Sequence, residues 1–116
     1  MAERERLICD ASELVEQGRG VRFELIRFGK PQPAFVVRHD GQPRAFLNQC
    51  GHVPVELDWQ EGEFFDDSRL YLICSTHGAL YHPASGHCLG GRCAGRGLIP
   101  VPVVERDGHI YTMEEQ

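Results

Sequence analysis

Two pairs of cysteine and histidine residues are the features of this sequence best suited to chemistry. Cys50 and His52 form the first pair, and Cys74 and His77 form the second. Each pair places a thiol and an imidazole within one tight turn, and both groups are common ligands of transition metals. Between His52 and Cys74 lie 21 residues, enough for two hairpins to bring the pairs face to face. The spacing therefore predicts one metal centre with two cysteine and two histidine ligands.

Two kinds of metal centre fit this ligand set, a structural zinc ion and an iron–sulfur cluster. Zinc takes four such ligands in a tetrahedral site, but zinc fingers place the histidines together on a helix. Here each pair holds one cysteine and one histidine, which favours a [2Fe–2S] cluster with two cysteines on one iron and two histidines on the other. Gly51 and Gly78 support that interpretation, because glycine lets backbone N–H groups approach an anionic group closely.

Short β-strands separated by turns are the elements that must position these pairs. Alternating apolar and polar residues, or short apolar runs between turn residues, indicate strands. The predicted strands are residues 21–25, 34–38, 44–47, 70–73, 79–81, 98–105 and 109–112. Residues 30–33 are predicted to form a loop, and residues 10–17 to form one short N-terminal helix with Asp10 and Glu13 as a capping box. The predicted fold class is therefore all-β, in a single domain over residues 1–116.

Composition and charge exclude several classes of protein. The hydrophobic content of 41% and charged content of 25% are those of a globular protein. No apolar run approaches the ~20 residues of a membrane span, and the charged N-terminus lacks the apolar core of a secretory signal. The net charge of −5 argues against nucleic acid as a partner. We therefore expect a cytoplasmic protein with no membrane span.

The two pairs and the residues around them resemble the Rieske iron–sulfur family. The resemblance rests on C-G-H at 50–52, C-S-T-H-G at 74–78, A-L-Y-H-P-A-S-G at 79–86 and G-R-C-A-G-R-G-L-I-P at 91–100. It covers most of residues 20–112, with the cluster-binding part at about 45–100. It implies stacked antiparallel sheets, two cluster-binding hairpin loops and one [2Fe–2S] cluster per chain.

The resemblance also assigns ligands and a function. It implies that Cys50 and Cys74 hold the inner iron, and that His52 and His77 hold the outer iron. The chain is then expected to be a ferredoxin, an electron-transfer protein without catalytic residues. Its partners would be a flavin reductase as donor and a terminal oxygenase or similar protein as acceptor.

Two other functions remain open from the sequence. One is a small Rieske subunit of a nitrite-reductase-like or oxygenase complex, and the other is a structural zinc-binding module. A complete Rieske oxygenase is not expected at this length, because it needs a further domain with a mononuclear iron site.

Residues beside the ligands are expected to tune the cluster. Respiratory Rieske subunits carry an extra cysteine in each ligand loop, where this chain has Val55 and Thr76. They also carry a serine and a tyrosine after the second histidine, where this chain has Ala79 and Tyr81. Gly78 and Tyr81 are therefore the candidate residues around the cluster. Because hydrogen bonds to the sulfurs stabilise the reduced state, losing one donor predicts a potential in the lower or middle part of the ~−150 to +300 mV Rieske range.

The three remaining cysteines are expected to play no part in binding the cluster. Cys9 is predicted to be a small buried hydrophobic residue. Cys88 and Cys93 are predicted to be free thiols, because the cytoplasm is reducing, with a disulfide between them as the alternative.

Other polar residues near the motifs have ordinary interpretations. His82 and His87 are predicted to be surface or packing residues. Six carboxylates lie in the 56–67 stretch. They are expected to form a solvated face. The alternative is a docking patch for a basic partner protein.

Overall fold

Ten β-strands and one 3-10 turn form the regular structure of the described chain. The computed structural model describes residues 3–27, 29–49, 57–58, 60–74, 78–90 and 97–115. The strands are β1 (Glu3–Asp10), β2 (Val21–Arg27), β3 (Lys30–His39), β4 (Gln42–Leu47), β5 (Leu72–Ile73), β6 (Leu80–Tyr81), β7 (Cys88–Gly90), β8 (Pro100–Val101), β9 (Val103–Arg106) and β10 (His109–Glu115). The all-β prediction is confirmed. No helix in the described part of the chain is long and apolar enough to cross a membrane.

Three antiparallel sheets organise these strands. The first sheet has the order β1–β10–β9, the second β2–β3–β4–β8 and the third β5–β6–β7. Asp40 and Gly41 turn β3 into β4, and Asp107 and Gly108 turn β9 into β10. All four residues have positive φ, between 53° and 78°. Two successive residues in this conformation match the twist of the flanking strands, which explains why both hairpins were predictable.

The second sheet separates two apolar cores. On β3, Phe35 and Val37 point to one side and Ala34 and Val36 to the other, and all four are buried. This alternation follows from the two-residue period of a strand that is covered on both faces. The cluster-side core comprises Phe35, Val37, Phe46, Leu57, Phe64, Phe65, Leu72, Cys74, Ala79, Tyr81 and Leu98. The scaffold core, which lies between the first and second sheets, comprises Cys9, Leu14, Leu25, Ala34, Val36, Ala45, Leu47, Val101 and Ile110.

The predicted helix at residues 10–17 is reduced to a 3-10 turn at Ala11–Glu13. The predicted capping contact is present in part, because the Asp10 N–H donates to the Glu13 carboxylate at 2.9 Å. The chain then becomes extended at Leu14, and the Gln17 N–H donates to the Arg38 carbonyl at 2.8 Å. Tertiary hydrogen bonds to the second sheet thus replace the helical bonds that would have followed.

The strand prediction was wrong at two segments that contain proline. Residues 30–33 were expected to be a loop but form the start of β3. They pair with β2 and lie beyond the stretch of β3 that pairs with β4, where a missing N–H is tolerated. The strand expected at 98–105 is divided at Pro102 into β8, at an edge of the second sheet, and β9, at an edge of the first.

Three further strands differ from the prediction, and one of them, β7, was not foreseen at all. β1 was not foreseen, because its charged start shows no clear alternation of apolar and polar residues. The strand expected at 70–73 shrinks to β5, since Leu70 and Tyr71 are exposed and lie outside the core. The assignment of residues 1–116 to a single domain stays a prediction.

Candidate metal centre

The structure describes one of the four predicted ligands, Cys74, together with Gly78 and Tyr81. The other three, Cys50, His52 and His77, lie outside the described residues. Among the described residues, no three His, Cys, Asp or Glu side chains come together as a metal site.

Cys74 lies at the end of β5, where the chain leaves the third sheet. β5 and β6 pair as Leu72 with Tyr81 and Ile73 with Leu80. Beyond them, the Cys74 N–H donates to the Ala79 carbonyl at 2.9 Å. This bond extends the hairpin by one pair and fixes the backbone of the predicted ligand.

Gly78 closes the other side of the same turn. Its N–H donates to the Cys74 carbonyl at 2.8 Å, and its φ of +73° is one that residues with a side chain rarely adopt. A Cβ at this position would have no neighbour within 4 Å, so the glycine is required by conformation and not by space. The Cys74–Gly78 hydrogen bond therefore joins the two described residues on either side of positions 75–77.

The Cys74 side chain is suited to bind a metal cluster. It is completely buried in the cluster-side core, among apolar neighbours such as Leu72 and Ala79, and it is not disulfide-bonded. A thiolate is a soft ligand, and an apolar surrounding that excludes water is typical of cysteines that hold iron–sulfur clusters. Tyr81 is also completely buried in this core, directly opposite Leu72. The described residues thus fit a cluster at this turn.

Cys9 provides a contrast with Cys74. It is also buried, but it lies in the scaffold core on β1. Burial is the main cause that raises the pKa of its thiol to about 11, with the nearby Glu13 and Asp10 carboxylates adding to the effect. A thiol with so high a pKa stays protonated and unreactive at neutral pH. The prediction of a small buried hydrophobic residue is confirmed.

Cys88 corrects one of the predictions. It is half-buried on β7 and is disulfide-bonded, so the expected free thiol is wrong at this position. The prediction used only the redox state of the expected compartment, which does not determine the state of an individual cysteine. Cys93 lies outside the described residues.

The two histidines near the motifs behave as predicted. Both His82 and His87 have exposed side chains. His82 Nδ1 accepts a hydrogen bond from the Ala84 N–H at 3.1 Å, which stabilises the turn between β6 and β7.

The acidic stretch does not form one uniform solvated face. Asp58 is buried, whereas Glu61 and Asp67 are exposed. Burial alone would raise the pKa of Asp58, but hydrogen bonds from Arg22, Asn48 and the Gly62 N–H outweigh it and hold the pKa below its usual value. Asp58 was the polar residue that the sequence analysis missed.

Comparison with known protein families gives one match. The sequence profile of the Rieske [2Fe-2S] domain matches residues 5–111. A search of curated protein sequences finds no match.

Solved structures share the fold at low sequence identity. A complex of reduced oxygenase and oxidized ferredoxin in carbazole 1,9a-dioxygenase contains a chain with 22% identity and a TM-score of 0.73, covering 97% of this chain and 95% of that one. The ferredoxin of carbazole 1,9a-dioxygenase from Nocardioides aromaticivorans IC177 has 17% identity and a TM-score of 0.70, with coverage of 96% and 98%.

An oxygenase shares the fold as well. The terminal oxygenase of carbazole 1,9a-dioxygenase from Novosphingobium sp. KA1 has 20% identity and a TM-score of 0.77. The match covers 97% of this chain but spans 30% of the oxygenase chain. Since the family profile covers nearly the whole chain, this protein belongs to the Rieske [2Fe-2S] domain family, whose members bind a [2Fe–2S] cluster.

Proposed function

We propose that this protein is a Rieske-type ferredoxin that carries one electron at a time. The observation that carries the proposal is the nearly complete overlap with a ferredoxin, which covers 96% of this chain and 98% of the ferredoxin chain. In the proposed site, Cys50 and Cys74 hold one iron and His52 and His77 hold the other. Replacing two thiolates by neutral histidines removes negative charge, so the bound cluster accepts an electron at a higher potential than a four-cysteine cluster.

The chain itself has two tasks in this function. The Cys74 turn holds a thiolate in an apolar core, where water is excluded from the metal. The hydrogen bonds of Cys74 and Gly78 keep this turn closed, so the ligand changes position little between redox states. Small rearrangement favours fast electron transfer. No described side chain is needed as a catalytic acid, base or nucleophile.

The electron donor and acceptor are proposed by analogy of fold. The matched carbazole dioxygenase structures hold a ferredoxin together with its oxygenase. We therefore propose a flavin reductase as donor and a terminal oxygenase or similar protein as acceptor, in the cytoplasm. A Rieske subunit of an oxygenase complex is the second candidate, because the TM-score of 0.77 to the terminal oxygenase is at least as high as those to the ferredoxins.

A reductive titration tests the proposed carrier function. The purified, cluster-loaded protein should take up one electron per chain from dithionite. It should then show an anisotropic EPR signal with a low average g value, and pass the electron to cytochrome c. A subunit of a larger complex would instead aggregate or lose its cluster when purified alone. A colourless protein with one zinc ion per chain would overturn the proposal.

A pair of histidine variants tests the ligand assignment. His77→Ala should lose the cluster or change its EPR spectrum, because it removes one proposed ligand of the outer iron. His87→Ala is the matched control, since His87 follows ten residues later in the sequence and has an exposed side chain. If both variants keep the spectrum of the unmodified protein, the proposed ligand set is wrong.

A further inference from the structure

A buried polar network lies where the segment carrying Cys50 and His52 rejoins the described fold. Its centre is Asp58, whose side chain is 0% exposed. Arg22 on β2 donates to both carboxylate oxygens, from Nε to Oδ2 at 2.7 Å and from Nη2 to Oδ1 at 2.9 Å. The Gly62 N–H donates to Oδ2 at 2.9 Å. Arg22, Asn48 and Asp58 are called the Asp58 network below.

Asn48 connects the start of this segment to its end. It follows β4 directly, and its backbone N–H donates to the Pro33 carbonyl of β3 at 2.8 Å. Its side-chain Nδ2 donates to Asp58 Oδ1 at 3.0 Å, and its Oδ1 accepts from the Leu57 N–H at 2.8 Å. One buried amide thus joins position 48 to positions 57 and 58.

The hydrogen bonds of the Asp58 network are energetically costly to break. A buried carboxylate is stable only when paired and hydrogen-bonded, and Asp58 has a bidentate arginine partner and two further donors. Removing Arg22 would leave the fully buried Asp58 carboxylate without its cation, which costs several times more than the loss of a surface ion pair. Both ends of the 49–56 segment are therefore anchored to the second sheet through Arg22 and Asn48.

We propose that the Asp58 network is a positioning device for Cys50 and His52. It anchors both ends of the segment that carries these two residues, and it places one balanced pair of opposite charges at the end of that segment. The proposal rests on the ligand set proposed above. Arg22, Asn48 and Asp58 contact no iron; they act through the ligand segment that they anchor and through their charge.

The first test compares two arginine–carboxylate pairs. Asp58→Asn removes the charge from the network but keeps the shape of the side chain. Glu105→Gln is the matched control. It weakens the Arg38–Glu105 pair, which joins β3 to β9 in the other half of the molecule with contacts of 2.9 and 3.4 Å. In the cluster-loaded protein, Asp58→Asn should speed the loss of visible absorbance in excess chelator by about tenfold or more, whereas Glu105→Gln should change it by less than about twofold.

The second test uses the midpoint potential of the cluster. A purely structural role would not shift this potential in opposite directions in two variants of opposite charge change. Asp58→Asn leaves the Arg22 charge unbalanced, which favours the added electron and should raise the potential. Arg22→Gln leaves the Asp58 charge unbalanced and should lower it. The double variant Arg22→Gln/Asp58→Asn should return close to the potential of the unmodified protein.

The possible outcomes are distinct. Potential shifts of opposite sign, with faster cluster loss than in Glu105→Gln, support the proposal. Equal rates of cluster loss in Asp58→Asn and Glu105→Gln would overturn it. Potential shifts of the same sign in Asp58→Asn and Arg22→Gln would also overturn it. If Asp58→Asn does not fold, the direction of the shift in Arg22→Gln decides: a lower potential supports the proposal, and an unchanged or higher potential overturns it. Failure of the unmodified protein to bind a cluster would instead reject the proposed ligand set.

Discussion

The two faces of the second sheet support very different structures. On one face, the scaffold core is covered by the first sheet, whose strands β1, β9 and β10 have 8, 4 and 7 residues. On the other face, the cluster-side core is covered by the third sheet, whose strands β5, β6 and β7 have 2, 2 and 3 residues. The ladder of backbone hydrogen bonds in the first sheet is long enough to stabilise that sheet, whereas the ladder in the third sheet is too short to do so.

Other interactions must hold the cluster-side half. Its aromatic rings supply part of the stability: Phe35 and Phe64 stack with centroids 3.9 Å apart and planes 12° apart. The Asp58 network supplies another part, and the bound cluster supplies the rest, because a metal that binds the folded state alone stabilises that state. The region around the scaffold core is therefore expected to be stable by itself, whereas the region around the cluster-side core is expected to depend on the cluster that it binds.

The largest expected effect distinguishes the two buried cysteines. Cys74→Ala should abolish the visible absorbance and the EPR signal, because it removes a proposed ligand from the cluster-side core. Cys9→Ala should keep both, because its thiol lies in the scaffold core. Iron content per chain provides the measurement. A cluster-replete Cys74→Ala variant would reject the assignment of this cysteine.

Removal of the cluster should affect the two halves unequally. After chelation, the amides of β5 and β6 should exchange with deuterium faster by on the order of a hundredfold, because their short ladder loses the support of the metal. The amides of β3 and β10 should keep most of their protection. Hydrogen exchange followed by mass spectrometry checks this difference. An equal loss of protection in all three sheets would show that the halves are not independent.

Two glycines with the same backbone conformation offer a steric test. Gly86 and Gly108 both have a φ of +78°. A Cβ on Gly86 would lie 2.8 Å from Phe46 Cε1 and 3.0 Å from the Leu98 carbonyl oxygen, whereas a Cβ on Gly108 would meet nothing within 4 Å. Gly108→Ala should lower the free energy of unfolding by about 1 kcal/mol, and Gly86→Ala by about 3 kcal/mol, because overpacking adds to the backbone strain. Urea denaturation measures both, and equal costs would argue against tight packing at Gly86.

The smallest expected effect is on the potential. If the Tyr81 hydroxyl donates to the cluster, Tyr81→Phe should lower the midpoint potential by on the order of 60 mV, the equivalent of one hydrogen bond to a charged group in a one-electron couple. Tyr111→Phe, in the first sheet, should leave the potential unchanged. A voltammetric titration compares them. An unaltered potential in Tyr81→Phe would assign this residue to packing alone.

Local signals in the sequence were sufficient for much of the fold. The Asp40–Gly41 and Asp107–Gly108 turns were predictable, because two residues with positive φ form a hairpin whatever surrounds them. In each case the residues that determine the structure are neighbours in the chain.

Features that depend on distant partners could not be predicted. Asp58 reads as one of six carboxylates in an acidic stretch, and its burial becomes evident only when Arg22, 36 residues earlier, is placed against it. The N-terminal residues of β1 pair with the last strand, β10, so no nearby pattern marked them as a strand. The helix at 10–17 failed for the same reason, since its competitor was a hydrogen bond to Arg38.

The position of β3 between the two cores has a consequence for how the sequence can change. Its buried residues alternate between aromatic or aliphatic contacts on one side and small aliphatic contacts on the other, as Phe35 and Val36 illustrate. Insertion or deletion of a single residue before Phe35 would shift the register and send each side chain into the wrong core. We therefore expect length variation among descendants of this sequence to be confined to turns such as Asp40–Gly41, while β3 itself keeps a fixed number of residues.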